Sequence, residues 1–152
     1  MNKIIGVIGG SSVDQTAYDT AYEVGGLIAK NDAILICGGL GGVMEAACKG
    51  AKEAGGTTIG ILPGSYIGDA NPYIDIPIAT GLGHGRNLII INTAEALIAI
   101  SGRFGTLSEI GFALQSGKPV FGLGTWDIDG VIACASAQEA VDKIIRRGES
   151  RI

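Results

Sequence analysis

Two stretches decide the fold: Lys3-Ile-Ile-Gly-Val-Ile8-Gly-Gly-Ser-Ser12 and Ala33-Ile-Leu-Ile-Cys37-Gly-Gly-Leu-Gly-Gly42-Val-Met-Glu-Ala-Ala47. Each is a short, β-branched, near-continuously apolar run, then a knot of glycines, then a segment with helical spacing of its apolar residues. A strand with one face in water would alternate polar and apolar positions; these runs do not, so both faces must be covered. The same unit recurs at Thr57–Leu62, Ile74–Ala79, Ala96–Ile100 and Pro119–Leu123, with a weaker seventh run at Val131–Cys134. Strands alternating with helices in this way predict a doubly wound, mostly parallel α/β sheet of six or seven strands with helices on both faces.

The first helix is expected over Val13 to Lys30, with Ala17, Ala21, Val24 and Ile28 on one face and a capping-box spacing at Ser12 and Gln15. A second runs from about Val43 to Ala54, with Glu45 and Lys49 ordered for an i,i+4 pair. Its inward side is Ala, Cys and Gly, so it must approach the sheet closely. The last helix opens with a second box, Ser136 and Glu139, and turns Val141, Ile144 and Ile145 inward before Arg146-Arg147-Gly148. Pro63 to Pro72 is the longest irregular stretch and reads as a lid or a plain loop. With no repeat and no linker, one Rossmann-like domain is expected over residues 1–152.

Composition narrows the function. The 152 residues are 47% hydrophobic and only 17% charged, and 26 are glycine, against a usual share of about 7%. Cys37, Cys48 and Cys134 are odd in number, form no Cys-x-x-Cys pair and sit among Ile, Ala and Gly, as small buried hydrophobes of a reducing compartment do. The apolar stretch Ile4 to Ile8 is too short for a signal-peptide core and no run is long enough for a membrane span, so a cytoplasmic protein without a membrane partner is expected. A net charge of -4 argues against nucleic acid as the main partner. Any anionic ligand must be held locally.

Fifteen of the 26 glycines, among them Gly9, Gly10, Gly38, Gly39, Gly41, Gly42, Gly102 and Gly105, fall at or just after the carboxyl ends of the expected strands. In a doubly wound sheet those ends share one edge, where ligands bind. Glycine lets backbone amides approach a ligand, and the helix that follows aims its positive end at it. The known fingerprints are missing: Gly9-Gly10-Ser11-Ser12 lacks Gly-x-Gly-x-x-Gly spacing, and Gly117-Lys118 runs into Pro119.

Between Glu53 and Gly117 the only Lys or Arg residues are Arg86 and Arg103, each inside a glycine-rich strand-to-helix junction, which favours phosphate or carboxylate recognition. Glu109 follows in what reads as the first turn of a helix starting near Gly105, whose apolar stripe is Leu107, Ile110, Gly111 and Leu114. Glu109 points off that stripe and serves either the helix dipole or a ligand. Phe112 also leaves the stripe and suggests a subunit interface. His84 is the sole histidine, so no zinc site is expected. Asp127 and Asp129, after Trp126, read as an exposed turn.

The run Cys37-Gly-Gly-Leu-Gly-Gly-Val-Met-Glu-Ala-Ala47, then Ala54-Gly-Gly-Thr-Thr-Ile-Gly-Ile-Leu-Pro-Gly64, the Arg86 junction, and Gly102-Arg-Phe-Gly-Thr-Leu-Ser-Glu109 before Gly117-Lys-Pro-Val120 resemble the superfamily of lonely guy (LOG) phosphoribohydrolases, once labelled lysine decarboxylase-like. The greatest similarity is to its short, DprA-related branch containing molybdenum-cofactor carrier proteins. The resemblance implies that Gly102, Gly105 and Thr106 hold a phosphate, with Asn87, Arg103 and Phe104 also among the ligand-binding residues. It further implies that Gly9, Gly10, Ser11 and Ser12, with Gly38, Gly39, Gly41, Gly42 and Met44, surround the base and sugar, and that Arg86 and Glu109 are the catalytic pair of a nucleoside 5'-monophosphate hydrolase. Where the enzymes carry Pro-Gly-Gly and Arg-Lys, this chain has Ser101-Gly102-Arg103 and Arg86-Asn87, departures that favour a carrier. The expected ligand is a small phosphorylated molecule, a nucleotide or molybdenum cofactor, with no cofactor needed for folding and a homodimer or homotetramer as the assembly. No lysine lies in the cleft-forming segments, so pyridoxal chemistry has no support.

Overall fold

The computed structural model describes residues 2–149. Strands β1 (Ile4–Gly9), β2 (Ile34–Cys37), β3 (Thr58–Leu62), β4 (Ile76–Ala79), β5 (Ala96–Ile100), β6 (Val120–Leu123) and β7 (Val131–Ala133) form a seven-stranded sheet in the order β4-β3-β2-β1-β5-β6-β7. Every pairing is parallel. Five α-helices connect or follow the strands: α1 (Gln15–Lys30), α2 (Val43–Glu53), α3 (Arg86–Thr93), α4 (Phe104–Gln115) and α5 (Ala137–Glu149).

The continuously apolar strands are buried on both faces. Ile5, Val7, Leu35, Cys37, Ile98 and Phe121 pack beneath α1, α2 and α5. The alternate residues Ile8, Ile36, Leu97, Ala99 and Val120 pack beneath α3 and α4. The chain winds outward from β1 in both directions, so the loops leaving β1 and β5 diverge to opposite faces and open a crevice at their carboxyl ends.

The small residues of α2 do more than approach the sheet. A Cβ at Gly25 would collide with the Ala47 carbonyl, and one at Gly50 with the Tyr22 carbonyl, so α1 and α2 pack backbone against backbone. At the rim the Tyr22 hydroxyl donates to the Glu53 carboxylate. The ion pairs of the described residues include Lys52 with Asp75, at 2.9 Å, and not Glu45 with Lys49.

The first cap differs from the Ser12–Gln15 box. Asp14 precedes α1 and accepts the Ala17 amide at 2.9 Å, while Gln15 donates to Asp19. At α5, Ser136 Oγ accepts the Glu139 amide at 3.1 Å, and the Glu139 carboxylate accepts the Ala135 amide at 2.6 Å, closing the box one residue early.

Candidate functional site

Four strand-to-helix turns meet at the carboxyl edge. The turn after β1 backs directly onto the turn after β2: the Gly10 carbonyl accepts the Val43 amide at 3.0 Å. That bond occupies a donor at the start of α2, so the α2 end is partly closed by the chain itself.

Arg86 opens α3 and is 8% exposed. Its Nε donates to the Ile61 carbonyl at 2.9 Å, Nη2 to the Gly38 carbonyl at 3.3 Å and Nη1 to Asn87 Oδ1 at 2.6 Å. The guanidinium thus spans the ends of β2 and β3 and is oriented by main-chain oxygens alone on that side. Among the described residues it has no carboxylate within 4.0 Å. Burial pushes it below its ordinary value, and the Glu109 carboxylate opposes that.

Glu109 lies in the second turn of α4, not the first, because the helix begins at Phe104. Its role as a first-turn dipole partner therefore falls away. The buried stripe of α4 is Thr106, Ile110 and Ala113, while Gly111 is exposed, so the stripe is rotated from the expected one and Glu109 flanks it, half-buried. Burial raises the Glu109 carboxyl to about 7, with Arg86 pulling the other way. A carboxyl at that value exchanges its proton near neutral pH. Arg86 and Glu109 thus influence each other electrostatically without forming a direct ion pair.

The start of α4 is open. Arg103 occupies the cap position with no side-chain cap, and the side chains of Arg103 and Phe104 are exposed, Phe104 by 73%. Ser101 and Gly102 both have left-handed backbones, at φ 52° and 97°. A Cβ at Gly102 would collide with the Thr106 side chain, so only glycine lets Thr106 fold under the turn. On the α1 and α5 side of Ser101 lies a cavity of about 440 Å³, lined by Asp14, Thr20, Ser101, Leu123, Gly124 and Ser136 among others.

Ser11 and Ser12 are exposed at the same edge, and Met44 is buried beneath the second turn. His84 is exposed in a 3-10 turn spanning Gly83–Gly85. Two sets of residues that the sequence reading did not place at the site brace its turns. From the loop over Pro63 to Pro72, Asn71 donates its side-chain amide to the Leu40 carbonyl at 2.9 Å, and its backbone amide to the Gly39 carbonyl at 2.9 Å. From the turn after β6, Thr125 Oγ1 donates to the Ser101 carbonyl at 2.7 Å and Trp126 Nε1 to the Arg103 carbonyl at 3.0 Å. The Trp126 ring also lies 6.0 Å from that of Phe104. Only the glycine-rich look of the neighbouring turns could have hinted at these braces.

The sheet order and its glycine-rich carboxyl edge define a Rossmann-like α/β protein. Within that class the chain belongs to the SLOG cluster4 family, whose model matches residues 2–149. An uncharacterized protein of Archaeoglobus fulgidus is 47% identical over 142 residues, 93% of each chain. The molybdenum cofactor binding protein of Rippkaea orientalis superposes with a TM-score of 0.92 at 36% identity, covering 97% of this chain and 98% of that one. The Moco carrier protein of Chlamydomonas reinhardtii does so with a TM-score of 0.89 at 38% identity, covering 99% of each. A probable cytokinin riboside 5'-monophosphate phosphoribohydrolase of Oryza sativa subsp. japonica, LOGL9, is 28% identical over 106 residues, 67% of this chain and 47% of the relative. The resemblance to the LOG superfamily and to molybdenum-cofactor carriers holds along the chain.

Proposed function

We propose that this protein binds a small phosphorylated ligand, a nucleotide or a molybdopterin-type cofactor, at the glycine-rich carboxyl edge of the sheet, and holds it as a carrier does. The observation that carries this reading is Arg86: a buried guanidinium without an ion-paired carboxylate among the described residues, on the same sheet edge as the uncapped start of α4. A buried cation held by carbonyls alone is costly, and an incoming anion offsets that cost. The amides of Gly102, Phe104, Gly105 and Thr106 at the open start of α4 would take the phosphate, with Arg86 supplying charge. Gly9 to Ser12 and Gly38 to Met44 would line the remainder of the ligand. The likeness to carriers at 36% and 38% identity supports cargo binding.

A second reading, hydrolysis of a nucleoside 5'-monophosphate, is favoured by one observation, the Glu109 carboxyl near 7 beside Arg86. Such a group can protonate a departing base or stabilise an oxocarbenium-like ribose. The two readings separate in one experiment. Pure protein is incubated with AMP and, in parallel, with molybdopterin, and free adenine and the melting temperature are followed. Stabilisation by molybdopterin with no adenine released is the expected result. Adenine release that vanishes in Glu109→Gln would establish the hydrolase, and no stabilisation by either compound would sink the carrier.

A further inference from the structure

The Thr125-Trp126 turn belongs to no motif, and Trp126 is the only tryptophan in the chain. Three bonds join this segment to the β5–α4 turn: Ser101 N donates to the Leu123 carbonyl at 3.1 Å, Thr125 Oγ1 to the Ser101 carbonyl at 2.7 Å, and Trp126 Nε1 to the Arg103 carbonyl at 3.0 Å. They hold Ser101 at φ 52°, a backbone state that non-glycine residues rarely keep unless their surroundings impose it.

In a trans peptide the C=O and the next N–H point in opposite directions. The structure has no cis peptide among the described residues, so fixing a carbonyl also fixes the amide that follows. Thr125 draws the Ser101 carbonyl toward β6, which turns the Gly102 amide the other way, toward β1. That is the side on which the doubly wound sheet has its crevice. Trp126 holds the Arg103 carbonyl, which also accepts the Leu107 amide, so the Phe104 amide points out of the open end of α4. Neither amide has a hydrogen-bond partner among the described residues. The cavity of about 440 Å³ adjoins this turn through Ser101 and Gly124.

From this geometry we infer that Thr125 and Trp126 are positioning residues: they clasp two carbonyls of the β5–α4 turn and so aim the Gly102 and Phe104 amides at the phosphate of the bound ligand. The inference rests on the binding reading above. The clasp acts before the ligand arrives, so binding spends no free energy ordering the turn. Because it acts on the anion end, it affects every ligand through its phosphate and ignores the rest of the molecule.

The test measures dissociation constants for AMP and for inorganic phosphate by calorimetry in the wild type, Thr125→Val, Thr125→Ser and Trp126→Phe, with melting temperature and tryptophan emission recorded alongside. Loss of one aiming bond is expected to weaken both probes by the same factor, about 3- to 10-fold. Thr125→Ser, which keeps the hydroxyl, should restore wild-type binding, an outcome that a mere packing role for the methyl group would not produce. Trp126→Phe keeps an aromatic ring against Phe104 and serves if Thr125→Val does not fold. In the wild type, emission from Trp126 should change with the same midpoint as the calorimetric titration. Wild-type affinities in all three variants would overturn the clasp and leave the binding reading standing. A wild type that binds neither probe nor molybdopterin would overturn both.

Discussion

Glu109 is a group whose ionisation the fold opposes. Its carboxyl rises from an ordinary 4.5 to about 7 because α4 half-buries it. A raised value means that the folded state holds the proton more tightly than the unfolded chain does. The associated stability is therefore fully present below about 4.5 and is lost as pH rises through about 7. Glu109→Gln, neutral at every pH, should match the wild type in acid and exceed it above neutrality. Contact with water reduces the gap to on the order of 2 kcal/mol. Urea denaturation of both proteins from pH 4.5 to pH 8 checks this, and a gap that does not open with pH would show that the carboxyl is not buried as described. That Arg86 and Glu109 belong to one site was an expectation from the resemblance. The burial that sets the state of Glu109 was not, since it depends on where α4 begins and which of its faces meets the sheet.

At the scale of elements, the α1–α2 contact is the most exacting. Gly25 and Gly50 each leave room for a carbonyl of the opposite helix, and no side chain can be added without separating the two. Gly25→Ala is expected to cost about 1–3 kcal/mol through overpacking, read as a lowered urea midpoint with an unchanged slope. Strand positions were readable to within two residues, because two-sided burial demands an unbroken apolar run and glycine marks its end. Caps were read less well. Ser12 and Gln15 have the right spacing for a box, but Asp14 stands closer to the first helical amides and its carboxylate accepts from Ala17. The bracing roles of Asn71, Thr125 and Trp126 were not legible, since each braces a turn that lies 23 to 31 residues away in the chain.

On the whole molecule, exposed apolar side chains gather on the face that carries α3 and α4. Leu88 and Phe112 project from those helices, with exposures of 43% and 48%. Ile76 and Ile78 of the edge strand β4 pair with Ile59 and Ile61, which pack toward α3 and α4, so they share that face. We propose that a second copy of the chain covers it, in a homodimer or homotetramer. Light scattering on a sizing column should give a multiple of 15.4 kDa for the wild type and a shift to the monomer for Leu88→Asp combined with Phe112→Asp. A monomeric wild type would refute the assembly. Among the described residues no helix is long and apolar enough to cross a membrane.

The sequence by itself determined the parallel, doubly wound sheet and the gathering of glycines along one of its edges. Both follow from local rules: β-branched runs buried on two faces, and turns too tight for a side chain. Tertiary structure alone decided which of those turns remain open. Gly10 closes on Val43 at the start of α2, whereas the start of α4 is uncapped and clasped from behind by Thr125 and Trp126. Spacing along a chain records which residues are neighbours in sequence, but hydrogen bonds between distant loops form only once the sheet has set its strand order.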